Sequence, residues 1–212
     1  EKGEAFDTPQ AILSYSGTGL TKLSQQYHEV IREHICRGAY KHAKRPILIN
    51  NWEATYFDFN EEKILKIAEQ AQKLGIEMLV LDDGWFGKRE DDNSGLGDWF
   101  VNEKKMNGSM AQLAEKIHRM GMKFGLWFEP EMISEDSDLY RAHPDWAFAI
   151  PGRVPNHSRN QLVLDMTRED VREYLLERLT TIVHDAKIDY VKWDMNRSVC
   201  DVYSHKIGRA HV

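Results

Sequence analysis

Lys192, Asp194 and Asn196 fall at every second position of Lys192-Trp193-Asp194-Met195-Asn196-Arg197. This stretch closes Ile188-Asp189-Tyr190-Val191, which reads as a short buried strand. Side chains two apart on a strand share a face. A cation, a carboxylate and an amide therefore converge on one side, and Trp193 and Met195 take the other. A carboxylate kept ionised by a neighbouring cation at a strand end is poised to act as a nucleophile. The spacing fits equally a buried Lys–Asp pair that only fixes packing, and spacing alone leaves both readings open.

Other candidates sit at similar places. Asp82 and Asp83 adjoin at the end of an apolar run, and two carboxylates accept hydrogen bonds from several hydroxyls. Strict alternation sends them to opposite faces, so a turn must bend them if both reach one site. An Asp-Gly turn that merely ends the strand is the plainer alternative. Arg159 precedes another strand-like run and is placed to donate to a hydroxyl or balance the acids, or simply lies on the surface. Of the six tryptophans, Trp52, Trp85, Trp127 and Trp193 lie at or just beyond strand ends, with Trp99 and Trp146 in long connections. Aromatic faces beside acids and amides suit a sugar, which stacks through C–H groups and hydrogen-bonds through hydroxyls. Filling the core is the competing use of each.

The elements that must position these residues alternate. From Arg45 onward, Pro46–Ile49, Glu77–Leu81, Lys123–Leu126, Gln161–Leu164 and Ile188–Val191 read as strands, each followed by polar or aromatic residues. Between them lie amphipathic helices. One is capped by Asn60, carries Ile64, Leu65, Ala68, Ala71 and Leu74, and stops at Gly75. Another carries Met110, Leu113, Ile117 and Met120 and stops at Gly121. A third starts at a Thr167/Asp170 capping pattern and carries Val171, Leu175, Leu179 and Ile182. Repeated strand–helix units imply an α/β fold with a parallel sheet. A (β/α)8 barrel is favoured over a doubly wound sheet, because chemistry-bearing residues follow strand after strand rather than one switch point. A whole barrel takes about 250 residues, so residues 45–205 are expected to form its first half. Residues 1–44 differ: Thr8–Tyr15 reads as a strand and Leu20–Cys36 as a helix, a connection from a preceding domain.

Composition narrows the function. The 212 residues are 42% hydrophobic and 29% charged, as in a soluble globular protein. No apolar run approaches the roughly 18 residues that span a bilayer. A net charge of −6 offers no electrostatic footprint for nucleic acid. Cys36 and Cys200 belong to no metal or redox motif, and reduced thiols in a cytoplasmic protein are the simplest reading. The nine histidines show no zinc-binding spacing, so no metal or cofactor is expected.

Six motifs together resemble the family 36 glycoside hydrolases, the bacterial α-galactosidases. They are Arg45-Pro46-Ile47-Leu48-Ile49-Asn50-Asn51-Trp52-Glu53, Leu81-Asp82-Asp83-Gly84-Trp85-Phe86-Gly87, Leu96-Gly97-Asp98-Trp99, Gly125-Leu126-Trp127-Phe128-Glu129-Pro130-Glu131-Met132, Arg159-Asn160-Gln161-Leu162-Val163-Leu164-Asp165 and Lys192-Trp193-Asp194-Met195-Asn196-Arg197. The resemblance implies Asp194 as catalytic nucleophile and Asp82 and Asp83 as ligands of the galactose C4 and C6 hydroxyls. It implies Trp127 as an aromatic wall of the sugar pocket, with Arg159, Lys192 and Asn196 around the sugar. It also implies a retaining exo-α-galactosidase acting on raffinose- and melibiose-type α-galactosides through a covalent galactosyl-enzyme. A large β domain would precede the barrel, and the full-length protein would be a tetramer. A transglycosylase, an α-N-acetylgalactosaminidase or a non-catalytic galactoside-binding remnant are the alternatives on the same scaffold.

The resemblance also places a second Asp, the acid/base, on a later strand that these residues do not reach, so the chain alone is expected to be inactive. Lys206-Ile207-Gly208-Arg209-Ala210-His211-Val212 back-translates to AAG ATC GGA AGA GCA CAC GTC, similar to a short-read sequencing adapter. Residues 206–212 are therefore expected to be a non-native tail.

Overall fold

In the computed structural model, residues 5, 7–206, 208 and 209 are described, the last two as backbone alone. The expectation of a non-native tail therefore falls mostly outside the described residues. The chain divides into two compact units, residues 1–45 and 46–212.

In the first unit, helix α1 (Leu20–Val30) continues into a π-helical turn at Ile31–Ile35. Thr8–Tyr15 forms no strand. A strand needs a neighbour for its N–H and C=O groups. Here the segment instead meets helix side chains: Ser14 Oγ donates to Gln26 Oε1 and Ile12 O accepts from the Tyr27 hydroxyl.

The second unit runs through β1 (Leu48–Asn50), α2 (Trp52–Thr55), α3 (Glu61–Lys73), β2 (Met78–Leu81), α4 (Met110–Arg119) and β3 (Lys123–Phe128). It continues with β4 (Met132–Ile133), α5 (Asp138–Ala142), β5 (Leu162–Val163), α6 (Glu169–Asp185), β6 (Tyr190–Trp193), β7 (Tyr203–Ser204) and β8 (Gly208–Arg209). The main sheet has the order β1-β2-β3-β6, every pair parallel. Its strands follow one another in chain order without reversal. A doubly wound sheet reverses at a switch point, so this is an arc of a (β/α)8 barrel. All the C-terminal strand ends lie along one rim, and that rim carries the site.

Local chemistry explains most of the helices. Asn60 Oδ1 accepts the Lys63 N–H and starts α3. Ser109 and Gln112 close a reciprocal capping box on α4. Gly75 (φ 79°) and Gly121 (φ 78°) take the left-handed conformation that ends each helix. Their apolar faces, including Ile64, Ala68, Leu113 and Ile117, bury against Leu79, Leu81, Phe124 and Leu126 of the sheet.

Two expectations give way. The Gln161–Leu164 run is a strand, but not one of the main parallel sheet. It supplies β5, paired antiparallel with β4 through Met132↔Val163 and Ile133↔Leu162. A parallel neighbour needs a crossover that packs back across the sheet, usually a helix. Between β3 and β5 the only α-helix is the five-residue α5, so β5 folds back on β4 inside the connection to α6. The capping pattern at Thr167 and Asp170 also fails. The residue before α6 is Arg168, without a side-chain cap. The Thr167 hydroxyl donates to Asp165 Oδ1, and Asp170 is taken by the Arg168 guanidinium at 2.7 Å. Charge-assisted bonds outcompete a neutral cap. No helix among the described residues is long and apolar enough to cross a membrane.

Candidate active site

The rim is built where β3 and β6 end together. Trp127 and Phe128 of β3 stand in register with Lys192 and Trp193 of β6. The ladder runs one residue further, with Asp194 N donating to Phe128 O at 2.8 Å. Three donors then surround the Asp194 carboxylate. Trp127 Nε1 reaches Oδ2 at 2.9 Å, Asn196 Nδ2 reaches Oδ2 at 3.1 Å and Met195 N reaches Oδ1 at 3.0 Å. Partial burial pushes the Asp194 carboxyl up. The Trp127, Asn196 and Met195 hydrogen bonds and the field of Lys192 more than reverse it, holding the group below the usual carboxylate range. The group is an ionised, half-buried carboxylate.

Lys192 extends across the sheet rather than along its own strand. Its Nζ meets Asp82 Oδ2 at 2.8 Å, beyond the end of β2. The direct partner of the cation is thus Asp82 and not Asp194, a correction to the expected Lys–Asp pairing. Its four-carbon stem reaches past the intervening β3. Asp82 is buried and also accepts from Asn50 Nδ2 of β1, while its own N–H donates to Asn51 Oδ1. One cation therefore ties the ends of β2 and β6 together, with β1 contributing through Asn50.

Asp83 points elsewhere, as alternation along a strand requires. Its carboxylate takes Arg89 Nη2 at 2.9 Å and Nε at 3.1 Å, and Arg89 is only 1% exposed. Burial raises the Asp83 carboxyl above its ordinary range, and Arg89 offsets this only in part. Its backbone N–H donates to Asp82 Oδ1 at 2.9 Å, but the Asp83 carboxylate makes no described hydrogen bond to Asp82, Lys192 or Asp194. Gly84 makes the turn that follows, at φ 99°, where a Cβ would stand 2.9 Å from Phe57 Cδ1.

The tryptophans mostly serve the core. Trp85, Trp99 and Trp127 are at most 2% exposed. Trp127 lies parallel to Phe86, ring centroids 6.1 Å apart, and offers Asp194 an N–H rather than presenting an open face. Arg159 is exposed and makes no hydrogen bond or ion pair with the described residues. With φ 53° it shares with Asn160 (φ 57°) a tight turn between Ser158 and Gln161. Of the residues singled out from sequence, Asp194, Asn196 and Trp127 are hydrogen-bonded together, and the Lys192–Asp82 pair stands beside them with the Lys192 charge acting on Asp194. The Asp83 carboxylate and Arg159 stand apart.

Sequence reasoning assigned no role to Glu129, which proves central. It is 1% exposed, and its two oxygens accept the Asn196 N–H at 2.6 Å and Gln161 Nε2 at 3.1 Å. Burial raises its carboxyl, with the neighbouring Asp194 charge adding to the rise and the Asn196 and Gln161 donors opposing it. Arg89 and Asn50 were also missed: Asn50 acts on an Asp on the next strand, and Arg89 turns back on Asp83 across the Gly84 turn, pairings that no alternation pattern reveals. Among the described residues no group of three or more His, Cys, Asp or Glu side chains is placed to hold a metal ion.

Chemically, the group offers one accessible anionic carboxylate flanked by an amide and backed by a half-buried Lys–Asp pair that presents polar atoms to a hydroxylated ligand. Comparisons with known proteins give the family. The Melibiase family model matches residues 5–212. The bifunctional alpha-galactosidase/sucrose kinase AgaSK of Mediterraneibacter gnavus is 58% identical over 99% of this chain and 22% of its own length. Alpha-galactosidase AgaA of Geobacillus stearothermophilus is 53% identical over 96% of this chain and 28% of its own length. The crystal structure of that GH36 enzyme superposes with a TM-score of 0.88 at 54% identity, covering 91% of this chain and 27% of that one. A variant of AgaA solved in complex with raffinose superposes equally well, with a TM-score of 0.88 at 53% identity over the same shares. The chain thus spans about a quarter of the length of the relatives it matches. Its arc of parallel strands and these alignments place the chain in the melibiase family, GH36.

Proposed function

We propose that this chain is the nucleophile-bearing part of a retaining exo-α-galactosidase that removes terminal α-galactosyl groups from oligosaccharides of the raffinose type. The observation that carries the reading is the ionised Asp194 carboxylate at the end of β6, held by three donors and left half-open to solvent. In this reading one Asp194 oxygen attacks the anomeric carbon as the glycosidic oxygen departs, giving a galactosyl ester. Water then cleaves that ester and restores both the carboxylate and the starting configuration. Asp82, Lys192 and Asn196 supply the polar contacts that hold the sugar hydroxyls. The raffinose complex of an AgaA variant and the stachyose complex of another support the substrate class.

Retention requires a second carboxyl about 5–5.5 Å from the nucleophile to protonate the leaving oxygen. Glu129 is the neighbouring acid with a raised pKa, but its oxygens are enclosed and engaged by Asn196 and Gln161. As the family resemblance implies, the acid/base would come from polypeptide outside these 212 residues, and the isolated chain is expected not to turn over.

The test is the complete enzyme with p-nitrophenyl α-galactopyranoside, beside an Asp194→Ala variant. Turnover by wild type and its loss by at least about 10⁴-fold in Asp194→Ala, with an unchanged fold, is the expected result. Undiminished turnover in Asp194→Ala, or none in the wild type, contradicts the proposal.

A further inference from the structure

We infer that Glu129 is a positioning residue for the nucleophile, acting through Asn196. The parallel ladder between β3 and β6 explains why one is needed. Asp194 N donates to Phe128 O, and in a continuing parallel ladder the next donor on the same edge is Asn196 N, two residues on. Its partner would be a carbonyl beyond Phe128, but the chain turns away at Pro130. The Glu129 side chain replaces that carbonyl: Oε1 takes the Asn196 N–H at 2.6 Å. Asn196 is thereby fixed so that its Nδ2 reaches Asp194 Oδ2 at 3.1 Å. The other oxygen, Oε2, is braced by Gln161 Nε2 at 3.1 Å, which links the rim to the β4–β5 ribbon. Glu129 and Gln161 are 1% and 2% exposed, so neither is replaced by solvent.

The Gln161 side-chain oxygen, Oε1, is buried and has no hydrogen-bond partner among the described residues. This gives the proposal a distinctive consequence. A glutamine at position 129 keeps an oxygen for Asn196 N and offers its NH2 to Gln161 Oε1 once the Gln161 amide turns over. Glutamine should therefore satisfy every partner that the carboxylate satisfies. Aspartate keeps the charge but withdraws the acceptor by about 1.5 Å, one C–C bond. Misplacement on the order of 1 Å at a reacting group costs up to about 100-fold in rate.

The inference rests on the proposed α-galactosidase reaction and is tested in the complete enzyme with p-nitrophenyl α-galactopyranoside. Glu129→Gln is expected to retain at least about a third of wild-type kcat. Glu129→Asp is expected to lose about 10–100-fold in kcat while KM changes less than about threefold. Thermal unfolding of both variants checks that the fold persists, and the isosteric Gln variant carries the test if the Asp variant does not fold. A Glu129→Asp variant as active as Glu129→Gln, or more active, overturns the inference, because charge and not reach would then matter. So does a Glu129→Gln variant that loses kcat tenfold or more. Wild type and Asp194→Ala assayed alongside separate the two claims. A wild type without turnover defeats the reaction assignment and this inference with it. An active wild type with an inactive Asp194→Ala leaves the order of the Gln and Asp variants as the sole arbiter.

Discussion

Trp127 Nε1 donates to Asp194 Oδ2 across 2.9 Å, joining the buried aromatic core to the carboxylate that meets solvent. Trp127 is itself held from two sides. Its carbonyl accepts Trp85 Nε1 at 3.0 Å, and its ring lies parallel to Phe86. The position of the carboxylate is therefore set by packing, which fixes geometry far better than a surface contact between two long side chains.

Trp127→Phe removes this donor while keeping an aromatic ring in the core. Hydrogen bonding to the charged form lowers the Asp194 pKa, so its loss moves that pKa upward. The acid limb of the kcat/KM profile of the complete enzyme is expected to shift to higher pH. The value at neutral pH should fall about 10–100-fold, the worth of a hydrogen bond to a charged group. An unmoved acid limb sets the role of Trp127 aside.

Arg89 and Asp83 form a buried pair whose loss leaves one charge uncompensated. Arg89→Met is expected to cost about 3–5 kcal/mol of stability, read by urea unfolding. Gly95→Ala should weaken the same loop, because Gly95 sits at φ 76° and a Cβ there would stand 2.9 Å from Arg89 N. A loss below about 1 kcal/mol in Arg89→Met would show that the pair is not structural.

The pair of Arg168 with Asp170 gives a pH signature. Asp170 is lowered from 3.8 to about 2, chiefly by the hydrogen bond from Arg168. A depressed carboxylate adds stability above its unfolded pKa, and that stability is lost as pH falls through the folded value. With Asp170 41% exposed, the pair is screened and worth at most about 1 kcal/mol. Asp170→Asn should therefore destabilise the protein slightly at pH 6 and be indistinguishable from wild type at pH 2 in denaturant titrations. An equal difference at both pH values would contradict the assignment.

The outer face of β6 is open. Val191 is 36%, Trp193 58% and Leu176 69% exposed, and they line one apolar groove between β6 and α6. An uncovered edge strand beside an apolar face promotes association. The isolated 212-residue chain is expected to self-associate in light scattering, and Val191→Lys with Leu176→Lys should suppress it. A strictly monomeric isolated chain would contradict this.

The parallel strands were legible because the apolar runs end in Gly or polar residues and helices separate them, some with readable ends, as at Asn60 and Gly75. The convergence of Lys192, Asp194 and Asn196 was legible from the period of two. Which carboxylate Lys192 engages was not, since its stem reaches Asp82 on another strand. The Gln161–Leu164 run is as buried as a sheet strand, so composition hides that its partner is β4. Glu129 was invisible for a related reason: its importance comes from standing where a ladder carbonyl is missing, a property of two strand ends and of no single segment.

The central claim is that Asp194 is the nucleophile, and azide rescue tests it most directly. The complete enzyme carrying Asp194→Gly is incubated with p-nitrophenyl α-galactopyranoside and sodium azide, and the product is identified by NMR. Azide occupying the space of the lost carboxylate attacks the anomeric carbon as p-nitrophenolate leaves, forming the C–N bond with inversion. The account predicts β-galactosyl azide and negligible turnover without azide. α-Galactosyl azide, or wild-type hydrolysis with no azide present, would contradict it.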